Sequence, residues 1–161
     1  MVEDLKISKG ISREEIYKEI IPQIKALIAD ESDIIANLAN VTASLKEALG
    51  FFWIGFYFVK GEELVLGPFQ GPVACTRIKK GNGVCGAAWM NKKTILVPNV
   101  NQFPGHISCN SQSKSEIVLP VFKNHEVYAI LDVDSNQLED FSGIDEKYLN
   151  EIIKMVEEMI A

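Results

Sequence analysis

An α+β fold is predicted by three features of the 161-residue sequence. Two segments near the N-terminus and one at the C-terminus carry apolar residues at helical spacing. The stretch between them breaks into short aromatic and β-branched runs, and hairpin-type turns join those runs. Helices at the ends and hairpins in the middle predict a mainly antiparallel sheet with the terminal helices over one face. The other face and its long loops are left to form a pocket. The length suits one domain over 1–161, with a helical part at 12–49, sheet and pocket at 51–135 and a final helix at 142–160.

The first helix should begin near residue 13. Ser12-Arg13-Glu14-Glu15 has the capping-box pattern, and Ile16, Ile20, Ile24 and Leu27 follow at helical spacing. Pro22 within this pattern predicts a kink. A second helix is expected from about Ser32 to Leu49, with Ile35, Leu38, Val41, Leu45 and Ala48 as its apolar stripe and Gly50 ending it. Phe51–Val59 reads as a strand, Lys60-Gly61-Glu62 as a turn and Glu63–Leu66 as the returning strand. Short strands are expected at Val73–Arg77 and Thr94–Pro98. Between them a short helix, Val84–Asn91, follows Gly81-Asn82-Gly83. Asn99–Ser115 is a polar loop of the length usually reserved for function. Glu116–Phe122 and Glu126–Asp134 form a hairpin around Lys123-Asn124-His125. Ser142 caps the last helix, with Asp145 at its N3 position and Ile144, Leu149, Ile152, Met155, Val156 and Ile160 as its core pattern.

Strand parity sorts the side chains of the middle region. Ile54, Phe56 and Phe58 share one face, suited to packing against helices. Trp53, Gly55 and Tyr57 share the other, as two amphipathic aromatics flanking a gap, either a ligand wall or ordinary core. Asp132 and Asp134 fall together on one face, with Leu131 and Val133 opposite. Two carboxylates there make either a solvated acidic edge or a cation site.

Net charge is −6, from 22 acidic and 16 basic residues, with no basic stripe. That balance argues against nucleic acid or an anionic membrane surface as a partner. No apolar run reaches the roughly 18 residues needed to span a bilayer. The opening MVEDLKISKG lacks the apolar core of a signal peptide. The expected compartment is the cytoplasm, where the three cysteines would be reduced at rest.

Those cysteines are the main candidates for chemistry. Cys75 falls on an expected strand, Cys85 near the start of the short helix and Cys109 in the long loop. A helix start would lower the Cys85 pKa if its sulfur reached free backbone N–H groups. No two cysteines form a CxxC pair. Cys75, Cys85, Cys109 and His106 have the chemistry of a Cys3His zinc site, but the nearest cysteines are ten positions apart, against the close pairs of zinc knuckles. His106, three residues before Cys109, would orient the loop or tune the thiol, and His125 sits in a turn. A phosphate-binding loop, a dinucleotide fingerprint and a nucleophile elbow are all missing.

Taken in order, several runs resemble the free methionine-(R)-sulfoxide reductase family, whose members are built on a GAF domain. The runs are Trp53-Ile54-Gly55-Phe56-Tyr57, Leu66-Gly67-Pro68-Phe69-Gln70-Gly71-Pro72, Ala74-Cys75-Thr76-Arg77-Ile78, Gly81-Asn82-Gly83-Val84-Cys85-Gly86, Phe103-Pro104-Gly105-His106-Ile107, Ser115-Glu116-Ile117-Val118 and Leu131-Asp132-Val133-Asp134-Ser135. The resemblance implies a six-stranded antiparallel sheet with helices on one face and a ligand pocket on the other. It implies that Cys109 is the nucleophile, Cys75 the cysteine that captures its sulfenic acid as a disulfide, and Cys85 an alternative or relay partner. Glu116, Asp132 and Asp134 match the family's pocket carboxylates, and Trp53 and Tyr57 its aromatic wall. Thioredoxin would be the reductant, in a role in oxidative stress that needs no metal or organic cofactor, and a homodimer is compatible with the family. The sequence departs from the family pattern at Ser108, Asn110 and Asn99, where Ala, Asp and Asp are expected, which changes the charge of the loop.

The residue types suit that reaction. A sulfoxide oxygen must be protonated before a thiolate can attack the sulfur, and a carboxylic acid kept neutral by burial and like-charge neighbours can supply the proton. Acidic side chains also pair with the ammonium of a free amino acid. The same fold without turnover would be a small-molecule sensor or a thiol-redox sensor.

Overall fold

Ser12 and Glu15 close a reciprocal capping box, and α1 (Arg13–Ile28) starts where that pattern predicts. The structure is a computed structural model and describes residues 4–161. Pro22 lies on the exposed side of α1, which is assigned as one helix through it. α2 (Ile34–Leu49) begins two residues later than expected, because Asp33 caps it, accepting from the Ala36 N–H at 3.0 Å. Its stripe is also shifted. Leu38, Val41 and Leu45 are buried as expected, but Ile35 is 51% exposed, and Ile34 packs on the core instead. Gly50 ends the helix at φ 66°, a left-handed conformation that favours glycine.

The strands are β1 (Trp53–Lys60), β2 (Glu63–Gln70), β3 (Arg77–Lys79), β4 (Ile95–Val97), β5 (Ser115–Lys123) and β6 (Glu126–Ser135). All neighbours are antiparallel, in the order β3-β2-β1-β6-β5-β4. This is the six-stranded α+β arrangement expected. Two further helices, α3 (Gly83–Asn91) and α4 (Gly143–Ile160), complete the helical set, with a 3-10 turn at Val100–Gln102. Asn124 and His125 form the β5–β6 turn at φ 51° and 65°.

Two strand boundaries differ from expectation. β2 continues through Gly67 and Pro68 to Gln70, and its pairing with β1 shifts register between Gly55 and Tyr57. That irregularity lets the chain pass residues that ordinarily stop a strand. β3 lies at Arg77–Lys79, so Cys75 sits in the β2–β3 connector and not on a strand. The reason is local. Trp53 Nε1 donates to the Pro72 carbonyl at 3.0 Å and the Tyr57 hydroxyl to the Cys75 carbonyl at 2.8 Å, so side chains take the acceptors that a ladder would use.

Parity holds across the sheet. Ile54, Phe56, Ile117, Leu119, Leu131 and Val133 join the core under α1, α2 and α4. Trp53, Tyr57, Val118 and Ile130 face the other way, into a second apolar cluster with α3. Among the described residues no helix is long and apolar enough to cross a membrane.

A buried carboxylate clasps the helical layer. Asp145, fully buried, accepts from the Tyr17 hydroxyl at 2.7 Å and the Ser142 N–H at 2.9 Å, and pairs with Arg13 at 3.1 Å. Ile144, expected in the core, is 40% exposed. Asp145→Ala strands the buried Tyr17 hydroxyl and removes one of the two carboxylates of Arg13, which keeps Asp140, and is expected to cost about 2–4 kcal/mol in urea unfolding. Ser12→Ala, which removes only a cap, should cost about 1 kcal/mol. Equal small losses in the two variants would show that Asp145 does not hold the layer.

Candidate functional site

The β1–β6–β5 register assembles the site from residues far apart in sequence. Trp53 lies opposite Asp134, and Asp134 opposite Glu116, forming one row across three strands. Gly55, Asp132 and Val118 form the next row on the same face. Three carboxylates therefore crowd onto the face away from α1, α2 and α4. They are not a solvated edge: Glu116 is 5% exposed and Asp132 6%, and Asp134 is half-buried. α3 and the Asn99–Ser115 loop supply the cover that parity alone leaves undetermined.

α3 reaches the carboxylates because Gly86 within it carries no side chain. A Cβ on Gly86 would lie 2.6 Å from the Lys79 carbonyl oxygen, so glycine permits the helix to pack directly on the β3 end. This close approach directs Cys85 inward, where its thiol donates to Glu116 Oε1 at 3.8 Å. Burial pushes the Cys85 pKa well up, and the charges of Asp132 and Glu116 push it further. The lowering that a helix N-terminus would bring is outweighed: the buried sulfur faces carboxylates.

The carboxylates behave alike. Burial raises Glu116 and Asp134 well above the ordinary range, and the charge of Asp132 adds to both. Burial also raises Asp132, whose Oδ1 is buried without a hydrogen-bond partner. Among the described residues no Lys or Arg pairs with any of the three; the ion pairs lie elsewhere.

Cys75 and Cys109 are joined as a disulfide, with Cα atoms 5.4 Å apart, and Cys85 is free. A four-ligand Cys3His zinc site is incompatible with that bond, since two of its sulfurs are consumed. The long loop that carries Cys109 is tied at both ends: Val100 N–H donates to the Lys114 carbonyl at 2.9 Å and Lys114 N–H to the Ser135 carbonyl at 2.8 Å. Asn99 and Asn110 each accept from a backbone N–H two residues on, at 3.0 Å and 2.9 Å. An aspartate would accept the same bonds, so the departures at these positions preserve the turns.

One cavity, about 550 Å³ including its open mouth, gathers these parts. Seven of the eight expected site residues line it: Trp53, Tyr57, Cys85, Cys109, Glu116, Asp132 and Asp134. Cys75 is attached through the disulfide and through its carbonyl to Tyr57. His106 also lines the cavity; burial lowers its pKa, and its Nδ1 has no partner. Asn82 and Ser113 are polar lining residues that sequence reasoning did not assign to the site, and Asn110, noted there only as a departure from the family pattern, lines it as well. Their position in the polar loop and before α3 was the available signal. The expected gap at Gly55 is filled. The Trp53 ring leans over it, stacked between Tyr57 and Phe69 at 6.0 Å and 5.4 Å, and a Cβ on Gly55 would overlap both Trp53 and Phe69.

The arrangement has clear relatives. The GAF domain family matches residues 29–161. GAF domain-containing protein A of Dictyostelium discoideum is 60% identical over 158 residues, covering 98% of this chain and 99% of that protein. The free methionine-R-sulfoxide reductase of Escherichia coli is 39% identical over 152 residues, covering 94% of this chain and 92% of that one. The solved structure of the free methionine-R-sulfoxide reductase from Neisseria meningitidis, in complex with its substrate, superposes with a TM-score of 0.94 at 48% identity. It covers 97% of this chain and 94% of that chain.

Two outcomes follow from the site geometry. The three carboxylates hold protons more tightly in the fold than in the unfolded chain, so unfolding releases protons. Their contribution to stability is full below the ordinary carboxylate pKa, roughly 4, and is lost as pH rises through the raised folded values. Thermal midpoints of the disulfide form should therefore fall less steeply with pH in Glu116→Gln than in wild type. Identical slopes would contradict a raised Glu116. Gly55→Ala forces Trp53 and Phe69 apart and should cost about 1–3 kcal/mol, with a shifted tryptophan emission; an unchanged spectrum and stability would show that the ring does not rest there.

Proposed function

The chain belongs to the GAF-domain family of free methionine-R-sulfoxide reductases, and from that premise we propose that it reduces free methionine-(R)-sulfoxide to methionine with Cys109 as nucleophile. The observation that carries this reading is a Cys75–Cys109 disulfide at a cavity lined by two buried carboxylates, Glu116 and Asp132, and the half-buried Asp134, none with a Lys or Arg partner among the described residues. Buried carboxylates are costly unless protonated or paired. The reaction supplies both conditions. One carboxyl group stays neutral and donates its proton to the sulfoxide oxygen, and the ionised ones pair with the substrate ammonium. Trp53 and Tyr57 form the apolar wall for the S-methyl end.

The cycle has three steps. The Cys109 thiolate attacks the sulfoxide sulfur; with one proton taken up, the oxygen passes to Cys109 as a sulfenic acid and methionine leaves. The Cys75 thiol displaces that oxygen as water and forms the disulfide seen here. A protein dithiol, with thioredoxin as the expected donor, then reduces the disulfide by exchange and is itself oxidised. Cys85 remains a buried, protonated thiol beside Glu116, which suits a proton-holding neighbour better than a nucleophile. No step needs a metal or an organic cofactor. Cytoplasmic reducing conditions would keep the cycle turning.

Pairing of the ammonium with buried carboxylates makes the free amino acid the preferred substrate over a sulfoxide within a peptide, which has no such group. In a thioredoxin-coupled assay, Cys109→Ser should lose all turnover, and Cys75→Ser should make one methionine per protein and then stall. N-acetylated substrate should react at least tenfold more slowly than the free form. Undiminished turnover in Cys109→Ser refutes the nucleophile, equal rates for the two substrates refute the role of the ammonium, and no sustained consumption in wild type points to a sensor.

A further inference from the structure

We propose that Cys85, Glu116 and Asp132 form a binding site for a thiophilic divalent cation, with zinc as its representative ion. One ligand atom from each residue lies within 4.8 Å of the other two, and all three residues are buried. The Cys85 Sγ–Glu116 Oε1 separation is 3.8 Å. A tetrahedral zinc with a sulfur ligand at about 2.3 Å and a carboxylate oxygen at about 2.0 Å has an S···O edge of about 3.5 Å, so a few tenths of an ångström close the pair around an ion. An independent feature points to a ligand: Asp132, 6% exposed, holds an Oδ1 with no hydrogen-bond partner.

The donor set selects the ion class. A thiolate with two carboxylates suits zinc or cadmium, whereas calcium and magnesium take oxygen ligands in larger number. The three groups sit on α3, β6 and β5, so their spacing is set by secondary structure and not by a loop. The cavity lets an ion enter, and leaves a fourth coordination position for water. Binding exchanges protons for the metal and changes no oxidation state. The ion is not a cofactor of the cycle, and the site stands on ligand geometry independently of the proposed substrate. On the proposed reading of the cavity, the metal and the substrate ammonium share carboxylates, so bound zinc inhibits turnover.

The test uses the oxidised full chain, in which the disulfide leaves Cys85 as the free cysteine. Cobalt(II) titration should give a near-ultraviolet thiolate-to-metal charge-transfer band that saturates at one equivalent and is displaced by zinc. Cys85→Ser should remove the band. By calorimetry, Cys85→Ser, Glu116→Gln and Asp132→Asn should each weaken zinc binding at least tenfold, in variants whose melting transition is retained. No band with wild type overturns the proposal, and so does zinc affinity unchanged in Cys85→Ser and Glu116→Gln. Zinc that binds at this site without inhibiting turnover would count against the substrate reading while supporting the metal site.

Discussion

Three carboxylates on one face of the sheet, two buried and one half-buried, and without a basic partner among the described residues, are the constraint around which the rest of this structure is arranged. Glu116 and Asp134 lie directly opposite on adjacent strands, a placement that is destabilising for like charges. Burial makes the cost larger, and the protein offsets it by holding protons. Stability is therefore gained elsewhere. The opposite face of the same strands carries a continuous apolar surface under three helices. A second buried carboxylate, Asp145, shows the contrast: it has Tyr17, Arg13 and a backbone N–H as partners, and it serves structure. The pocket carboxylates lack such partners, which leaves them available to a ligand.

How the aromatic wall relates to the disulfide follows from the same sheet. Trp53 and Tyr57 do more than line the cavity, since their polar ends hold the carbonyls of Pro72 and Cys75. The connector that carries Cys75 is thereby docked on β1, and Cys75 is placed opposite the loop carrying Cys109. A single strand thus sets the apolar wall, the row holding Asp134 and the position of one disulfide partner.

Much of this was legible in the sequence, for a physical reason. A strand has a period of two, so Asp132 and Asp134 must share a face, as must Trp53 and Tyr57. The capping boxes at Ser12 and Ser142 likewise fixed two helix starts. Depth was not legible, because parity assigns a face but not its cover; only the folded α3 and loop bury the carboxylates. The Cys85 expectation turned on the same point: a helix-start lowering required its sulfur to reach free N–H groups, and the sulfur faces the carboxylates instead. β3 was misplaced because side-chain donors, unseen in a β-propensity pattern, capture the backbone before Arg77. Ile35 and Ile144 were assigned to stripes by spacing, yet each lies in the first turn of its helix, beyond the edge of the packed layer.

The division of labour between strands and loops has a chemical logic on the proposed reading. The proton donor and the ammonium site must keep their spacing through the cycle, because their ionisation depends on one another; all three carboxylates are on β5 and β6. The nucleophile must meet two partners in turn, a substrate sulfur and then the Cys75 sulfur, and a strand residue has one direction only. Cys109 and Cys75 accordingly occupy connectors, the first in a loop closed at its base by Val100 and Lys114. Tying the base fixes where the loop stands while leaving the tip free of ladder hydrogen bonds. Cys85 completes the arrangement as the one cysteine of the three on a regular element, set among the carboxylates, whose charges add to burial in holding its proton.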